Sequence, residues 1–326
     1  MTENNTQPPS DSGPSQDAYN QMLLKTWKYL RFAMIALPIG LGVCIIWEYT
    51  KTPGNHCLQG SISAYYYTPV SGFLVGTMVA IGLCLYALRG NTDKEDVLLN
   101  IAGMFAPIIG LVPTPGPGNC SSDTSSRTLV GLGQKDPVVV QVRTLVVDNN
   151  MRALLVIILI GLLFLAWQFF SNRENWKLRK GNEPRWFGIA RFLGYFSTFV
   201  AYAFIAVSFY TQPDWFRDHM HYISAAVMFV AIFIVVCINA ARSAGLFTWI
   251  YRGIAIGMLG TAILFGLHSN FHVSWLLSPW KHWLLWLEIS QISGFAIFWT
   301  MQTIHGRKGL VGHGQLVDTP KAVLVV

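Results

Sequence analysis

The chain has 326 residues, of which 52% are hydrophobic and only 12% are charged. A soluble domain carries about 25% charged residues, so this composition excludes an ordinary soluble protein and indicates a membrane protein. The formal net charge of +7 is explained by the Lys and Arg residues that orient membrane proteins, and it does not indicate a nucleic-acid partner.

The chain begins with a polar segment rich in Asn, Gln, Ser and Pro. Residues 1–25 are therefore predicted to form a disordered cytoplasmic tail. No apolar region follows a charged N-terminus within the first residues, so we expect no cleaved signal peptide, and the first span is expected to act as an uncleaved anchor.

Eight apolar runs follow, each near the length of about 20 residues that a helix needs to cross a bilayer. They lie near 30–49, 69–88, 97–112, 153–170, 192–210, 221–240, 253–268 and 283–301. The predicted fold is all-α, a polytopic transmembrane helix bundle of about eight spans over residues 26–304, with a second tail at 305–326. Glycine pairs four residues apart at 72–76 and 253–257 are typical of spans that pack closely.

The distribution of basic residues predicts the orientation. Most Lys and Arg residues fall in segments that lie in the cytoplasm if the N-terminus does, as the positive-inside rule requires. Both termini are therefore predicted to be cytoplasmic, in a multi-pass protein of the cell membrane. The long polar segment 113–150 then becomes an outer loop, and most histidines gather at the outer face.

The stretch SISAYYYTP, residues 61–69, leads into the second run without any charge. Its tyrosines fit an aromatic belt at the membrane boundary, and its serines fit a tight turn. The same hydroxyl groups could instead line a pocket of hydrogen-bond donors, and the sequence leaves both interpretations open. Thr68 is predicted as the N-cap of the second span and Pro69 as its first residue.

Glu288 lies inside the last apolar run, where a carboxylate near hydrocarbon is costly and normally faces a partner or water. Gln291 is three residues further on and shares its helix face, which predicts a polar stripe toward the bundle interior. His221 opens the sixth run from the same side of the membrane. A carboxylate beside a histidine lowers the cost of holding both near hydrocarbon, so we expect Glu288 and His221 to face each other. A purely structural role for Glu288 is the alternative.

Two further pairs suggest covalent or metal chemistry. His268 and His272 are four residues apart and would share a helix face, as zinc ligands do. The alternative is a pair of interfacial histidines in a protein without a cofactor. Cys57 and Cys120 fall in the first two outer loops, where an oxidising compartment favours a disulfide, although both thiols could also remain free.

Several segments resemble one group of proteins. SISAYYYTP, together with EDVLLNIAGMFAPIIGLVPT, HMHYISAAVMFVAIF and WLEISQISGFAIFWT, is similar to a group of uncharacterised bacterial multi-pass membrane proteins. It is more distantly similar to the DRAM/Frag-type family. The resemblance covers 61–114, 218–236 and 283–300 and implies no particular reaction. The positions it marks are Ser61, Ser63, Tyr65, Tyr66, His221 and Glu288.

A second resemblance concerns the alkaline ceramidase and adiponectin receptor type of zinc hydrolase. His268 and His272 match its late histidine pair, but Tyr65 stands where that type has a histidine four residues after the serine at Ser61. The third span also lacks the expected aspartate.

Three functions follow from these patterns. The first is an integral membrane protein whose outward-facing polar pocket binds a lipid headgroup or small solute, with the six marked positions as its lining. The second is a metal-dependent hydrolase of lipid amide or ester bonds, in which the metal activates water. The third is a small-solute transporter. Whether the protein is an enzyme stays open at this point.

Overall fold

The computed structural model describes residues 16–51, 58–88, 90–114, 137–171, 185–271 and 282–312. All regular structure in these ranges is helical. A 3₁₀ helix spans Ser63–Tyr67. The α-helices, in chain order, are α1 (Gln16–Lys51), α2 (Ser71–Ala87), α3 (Asp93–Leu111), α4 (Pro137–Ser171), α5 (Arg185–Thr211), α6 (Pro213–Arg242), α7 (Leu246–Phe271) and α8 (Trp283–Gly312). The predicted all-α helical bundle is confirmed.

The helices have the lengths and compositions of membrane spans. Within the described ranges, five apolar stretches are long enough to cross a bilayer, and they lie in α1, α4, α6, α7 and α8. The helix α2 and the end of α5 are shorter apolar helices. Large hydrophobic side chains such as Trp47, Leu163 and Ile256 are exposed on the surface, as expected where lipid replaces water. The chain is therefore an integral membrane protein.

Some segment boundaries differ from the apolar runs. The helix α1 already begins at Gln16, within the predicted tail, and α4 begins at Pro137, within the predicted outer loop. The helix α8 continues to Gly312, past the predicted start of the second tail. Cys57 and Cys120 lie outside the described residues, so the disulfide stays a prediction.

Six of these helices contact one another in a closed order. The helix α1 packs against α2, α2 against α3, α3 against α6, α6 against α7, α7 against α8, and α8 returns to α1. The helix α5 packs on the outside against α3 and α6, and α4 contacts α3 and α5. The bundle is therefore a ring of six helices with two helices on one flank, and the ring surrounds a central space.

The closest helix approach in the ring joins α2 and α3 through glycines. A Cβ at Gly82 would lie 2.7 Å from Pro107 and 2.8 Å from the carbonyl oxygen of Gly103. A Cβ at Gly110 would lie 2.9 Å from Met78. These two helices therefore touch almost backbone to backbone, which only a residue without a side chain permits.

The two glycine pairs singled out in the sequence do not make this contact. Among the described residues, nothing lies within 4 Å of a Cβ built at Gly72, Gly76, Gly253 or Gly257, so the close packing predicted for these motifs is not found there. Gly82 lies on a different face of α2 from Gly72 and Gly76, because neither ten nor six residues make a whole number of helical turns. Which face of α2 makes the close contact therefore depends on how α3 packs against it.

A chain of buried polar side chains closes the ring at one end. The Arg31 Nη1 donates to Gln302 Oε1 at 3.5 Å, and the Gln302 amide donates to Asn239 Oδ1. Asn239 Nδ2 in turn donates to Glu95 Oε1 at 3.2 Å. These residues join α1, α8, α6 and α3, and all four are buried. Each bond satisfies a polar group that would be costly to bury alone.

Candidate functional site

The opposite end of the ring is closed by the SISAYYYTP stretch, which folds as the 3₁₀ helix. Ser61 Oγ accepts from the Ala64 N–H at 3.0 Å, and Thr68 Oγ1 donates to the Tyr65 carbonyl at 2.8 Å. Short hydroxyl side chains commonly satisfy backbone groups in this way, which is why such residues favour tight turns. Ser61 and Thr68 therefore hold the turn together.

The start of α2 differs from the sequence prediction. The helix begins at Ser71, its N-cap is Val70, and no side chain makes a capping hydrogen bond there. The prediction of Thr68 as the N-cap and Pro69 as the first helical residue was wrong. The reason is that the Thr68 hydroxyl bonds the 3₁₀ helix, whose own end occupies the residues expected to start α2.

Two of the three tyrosines of the stretch, Tyr65 and Tyr67, are buried in the protein. Tyr65 and Tyr67 are only 1% and 5% exposed, so neither ring serves as a membrane belt. The Tyr67 hydroxyl donates to the Thr114 carbonyl at 2.7 Å, and the Tyr65 hydroxyl accepts from the Gln59 N–H at 3.4 Å. Burial raises the pKa of the Tyr65 and Tyr66 hydroxyls above the usual value, so both stay protonated at neutral pH.

Ser63 is the meeting point of three elements. Its Oγ lies 2.8 Å from His221 Nε2 on α6 and 3.3 Å from Glu288 Oε1 on α8. The other carboxylate oxygen of Glu288 accepts from the Ile62 N–H, directly before the 3₁₀ helix. His221 and Glu288, expected from the sequence to face each other, thus meet through one serine hydroxyl.

The hydrogen bonds define where protons can lie in this cluster. His221 Nδ1 lies 2.7 Å from the Val112 carbonyl oxygen, which can only accept, so Nδ1 carries a proton. In a neutral ring Nε2 is then an acceptor, and it takes the single proton of Ser63. Glu288 Oε1 is left without that donor. The shortfall is removed when the Glu288 carboxyl takes up a proton, when the ring takes up a second proton, or when a ligand donates to Glu288.

A cavity of about 370 Å³ lies inside the ring, with this cluster at one end. Apart from a few polar groups its wall is aliphatic and aromatic, with Leu74, Met78, Met258 and Phe295 among its residues. Glu288 keeps accessible surface because it faces this space, although protein encloses it. The site is therefore an apolar chamber with one polar end.

Two more polar side chains line the chamber. Gln291 Nε2 donates to the Met258 carbonyl at 2.9 Å and to Thr261 Oγ1 at 2.7 Å, which uses both amide protons and leaves its oxygen as an acceptor. Thr77 is only 2% exposed, and its hydroxyl has no hydrogen-bond partner in the described part of the chain. This hydroxyl is therefore available to hydrogen-bond with a molecule in the chamber.

The described part of the chamber reaches the protein surface between α6 and α7. Tyr222, Val230 and Leu259 line the chamber and are also 50%, 56% and 47% exposed. Because the exposed surface of these helices is apolar, this opening faces the hydrocarbon of a bilayer.

The structure separates the six residues marked by the sequence. Ser63, His221 and Glu288 line the chamber. Ser61 and Tyr65 stabilise the turn, and Tyr66 packs edge-on against Tyr67. The sequence analysis missed Thr77, although a lone hydroxyl within an apolar helix could have indicated it. The sequence contains no signal for the roles of the Ile62 and Val112 backbone groups.

The predicted metal ligands are not placed. His272 and the side chain of His268 lie outside what the structure describes. Within the described ranges, no group of three His, Cys, Asp or Glu residues is arranged to hold a metal ion. The zinc hypothesis therefore stays a prediction.

Comparison with known proteins adds no relative. No family model matches the chain, and neither a curated protein nor a solved structure matches it. The fold and site define the class by geometry: an all-α integral membrane protein whose ring of helices contains an apolar chamber with one polar end.

Proposed function

We propose that the protein binds a single-chain amphiphile, with the hydrocarbon chain in the chamber and the polar group against Ser63, His221 and Glu288. The observation that carries this proposal is the position of the three polar side chains at one end of an otherwise apolar space. The volume of about 370 Å³ falls in the range of about 300–1,000 Å³ typical of small-molecule sites.

The polar end supplies the selectivity. A hydrocarbon chain that moves from lipid into an apolar chamber exchanges one apolar environment for another, so burial of the chain contributes little by itself. Glu288, in contrast, gains a donor from any ligand with an N–H or O–H group when Ser63 donates to His221. Satisfying a buried acceptor of this kind removes a penalty of about 1–3 kcal/mol.

Hydrolysis at Ser63 is the second candidate, because a serine within 2.8 Å of a histidine nitrogen has the geometry of a nucleophile and its base. Acyl transfer also needs free donors for the developing oxyanion. The adjacent Ile62 N–H is taken by Glu288, and the charge of this carboxylate opposes a second anion beside Ser63. The geometry therefore favours binding over hydrolysis.

Two other functions considered from the sequence involve other features. A metal-dependent hydrolase would rest on His268 and His272, and a transporter would use the same chamber.

Native mass spectrometry of the full chain in phosphatidylcholine nanodiscs tests the proposal. We expect at least one of dodecylamine, dodecanol and dodecanoic acid to form a saturable complex with one ligand per chain. The matching butyl compounds serve as controls and should not bind, since they leave most of the chamber empty. If none of the dodecyl compounds binds saturably, amphiphile binding is wrong.

A further inference from the structure

We infer that the polar group of the bound amphiphile is a primary ammonium that pairs with Glu288. This inference rests on the proposed binding of an amphiphile and names its chemical class. It is carried by the charges and by the hydrogen-bonding acceptors that face the chamber.

The described lining of the chamber contains an acidic side chain but no Lys or Arg. Among the described residues that line it, Glu288 is the one acid, His221 is the one histidine, and none is Lys or Arg. No ion pair of Glu288 occurs within the described ranges. A carboxylate enclosed by protein without a cation is costly, so the group takes up a proton unless a cation is present. An ammonium in the chamber supplies the positive charge that lets Glu288 stay ionised.

Arg143, a cation outside the chamber lining, already has partners of its own. Arg143 Nη1 lies 3.4 Å from the Asp218 carboxylate, and Nη2 donates to the backbone carbonyls of Pro113 and Arg217. Arg217 in turn pairs with Asp148 at 3.0 Å and with Asp214 at 2.6 Å. These contacts hold the start of α4 against the start of α6. The Arg143 guanidinium is thus compensated by Asp218 and makes no ion pair with Glu288.

The hydrogen-bonding groups of the chamber also favour an ammonium. An ammonium has three donors and no acceptor. Glu288 Oε1 loses the Ser63 hydroxyl as a donor when Ser63 donates to His221, and the lone pairs of Ser63 Oγ then remain to accept. Gln291 adds its acceptor oxygen about one helical turn further along α8. A carboxylate headgroup would place an anion beside Glu288, and an alcohol would supply only one donor and no charge.

The test compares headgroups on one chain in the wild-type protein. In zwitterionic phosphatidylcholine nanodiscs, which remove any attraction of the amine to anionic lipid, we expect dodecylamine to bind at least about tenfold more tightly than dodecanol, or about 1.4 kcal/mol. Dodecanoic acid is expected to bind more weakly still. If dodecanol or dodecanoic acid binds as tightly as dodecylamine, the ammonium assignment is wrong while amphiphile binding stands. If none binds, the proposed function itself fails.

Substitution then assigns the preference to one carboxylate. Glu288→Gln keeps an oxygen that can accept from Ile62 but removes the carboxylate charge. We therefore expect the affinity for dodecylamine to fall to that for dodecanol. Glu48→Gln is the matched control, because Glu48 is another buried carboxylate on α1 and lies outside the chamber lining. A preference for dodecylamine that survives Glu288→Gln overturns the assignment. If Glu288→Gln does not fold, the wild-type protein is titrated with N-dodecylacetamide, which has the same nitrogen without its charge. An affinity equal to that of dodecylamine would then overturn the ammonium assignment.

Discussion

The Ala225→Phe substitution is expected to lower the affinity for the bound amphiphile by at least about a hundredfold, or about 2.8 kcal/mol. Ala225 lies one helical turn after His221 on α6 and lines the chamber. A phenyl ring there occupies the space proposed for the hydrocarbon chain, directly below the polar end. The measurement is the same titration by native mass spectrometry, with dodecylamine as the ligand.

Two further variants keep this result interpretable. Ala203→Phe adds the same ring at an exposed position of α5, outside the ring of six helices, and should leave binding unchanged. Ala262→Phe adds it at an exposed position of the chamber lining on α7, where folding is less at risk, and should also weaken binding. Wild-type affinity in folded Ala225→Phe or Ala262→Phe protein would mean that the ligand lies elsewhere.

The Gly82→Leu substitution is expected to have the largest effect on stability. Its Cβ would lie 2.8 Å from the backbone oxygen of Gly103 and 2.7 Å from the Pro107 ring, and neither atom can move as a flexible side chain can. Overpacking of a tight contact typically costs about 1–3 kcal/mol and occasionally more. We expect this variant to lose the monodisperse peak in size-exclusion chromatography or to unfold at a clearly lower temperature.

Gly76→Leu is the matched control on the same helix. No described residue lies within 4 Å of a Cβ at Gly76, so this variant should elute and unfold like the wild type. If Gly82→Leu and Gly76→Leu are equally stable, α2 and α3 do not approach as closely as described. The comparison also checks the helix pairing from which the ring is built.

The helical class could be predicted from the sequence because apolar runs of about 20 residues have few structural solutions other than membrane helices. The importance of Glu288 could also be predicted, since the cost of a carboxylate in a span depends on local sequence alone. Both conclusions rest on local properties of the chain.

The arrangement of the site could not be predicted in the same way. Ser61 and Ser63 are two residues apart and chemically identical, yet one holds the 3₁₀ helix and the other bonds His221. Ser63 is separated along the chain from His221 by 158 residues and from Glu288 by 225 residues. Which serine meets them depends on the turn geometry and on how distant helices pack. For the same reason the glycine spacing at 72–76 did not reveal that Gly82 makes the close contact.

Photocrosslinking tests the central claim of a ligand inside the ring most directly. Dodecylamine with a diazirine at the end of its chain would be irradiated in the wild-type protein, and the labelled residues identified by peptide mass spectrometry. We predict labelling of chamber residues such as Met78 on α2 and Met258 on α7, and its loss in Ala225→Phe. Labelling confined to outward-facing residues such as Leu163 and Ile256, and unchanged in Ala225→Phe, would contradict the account.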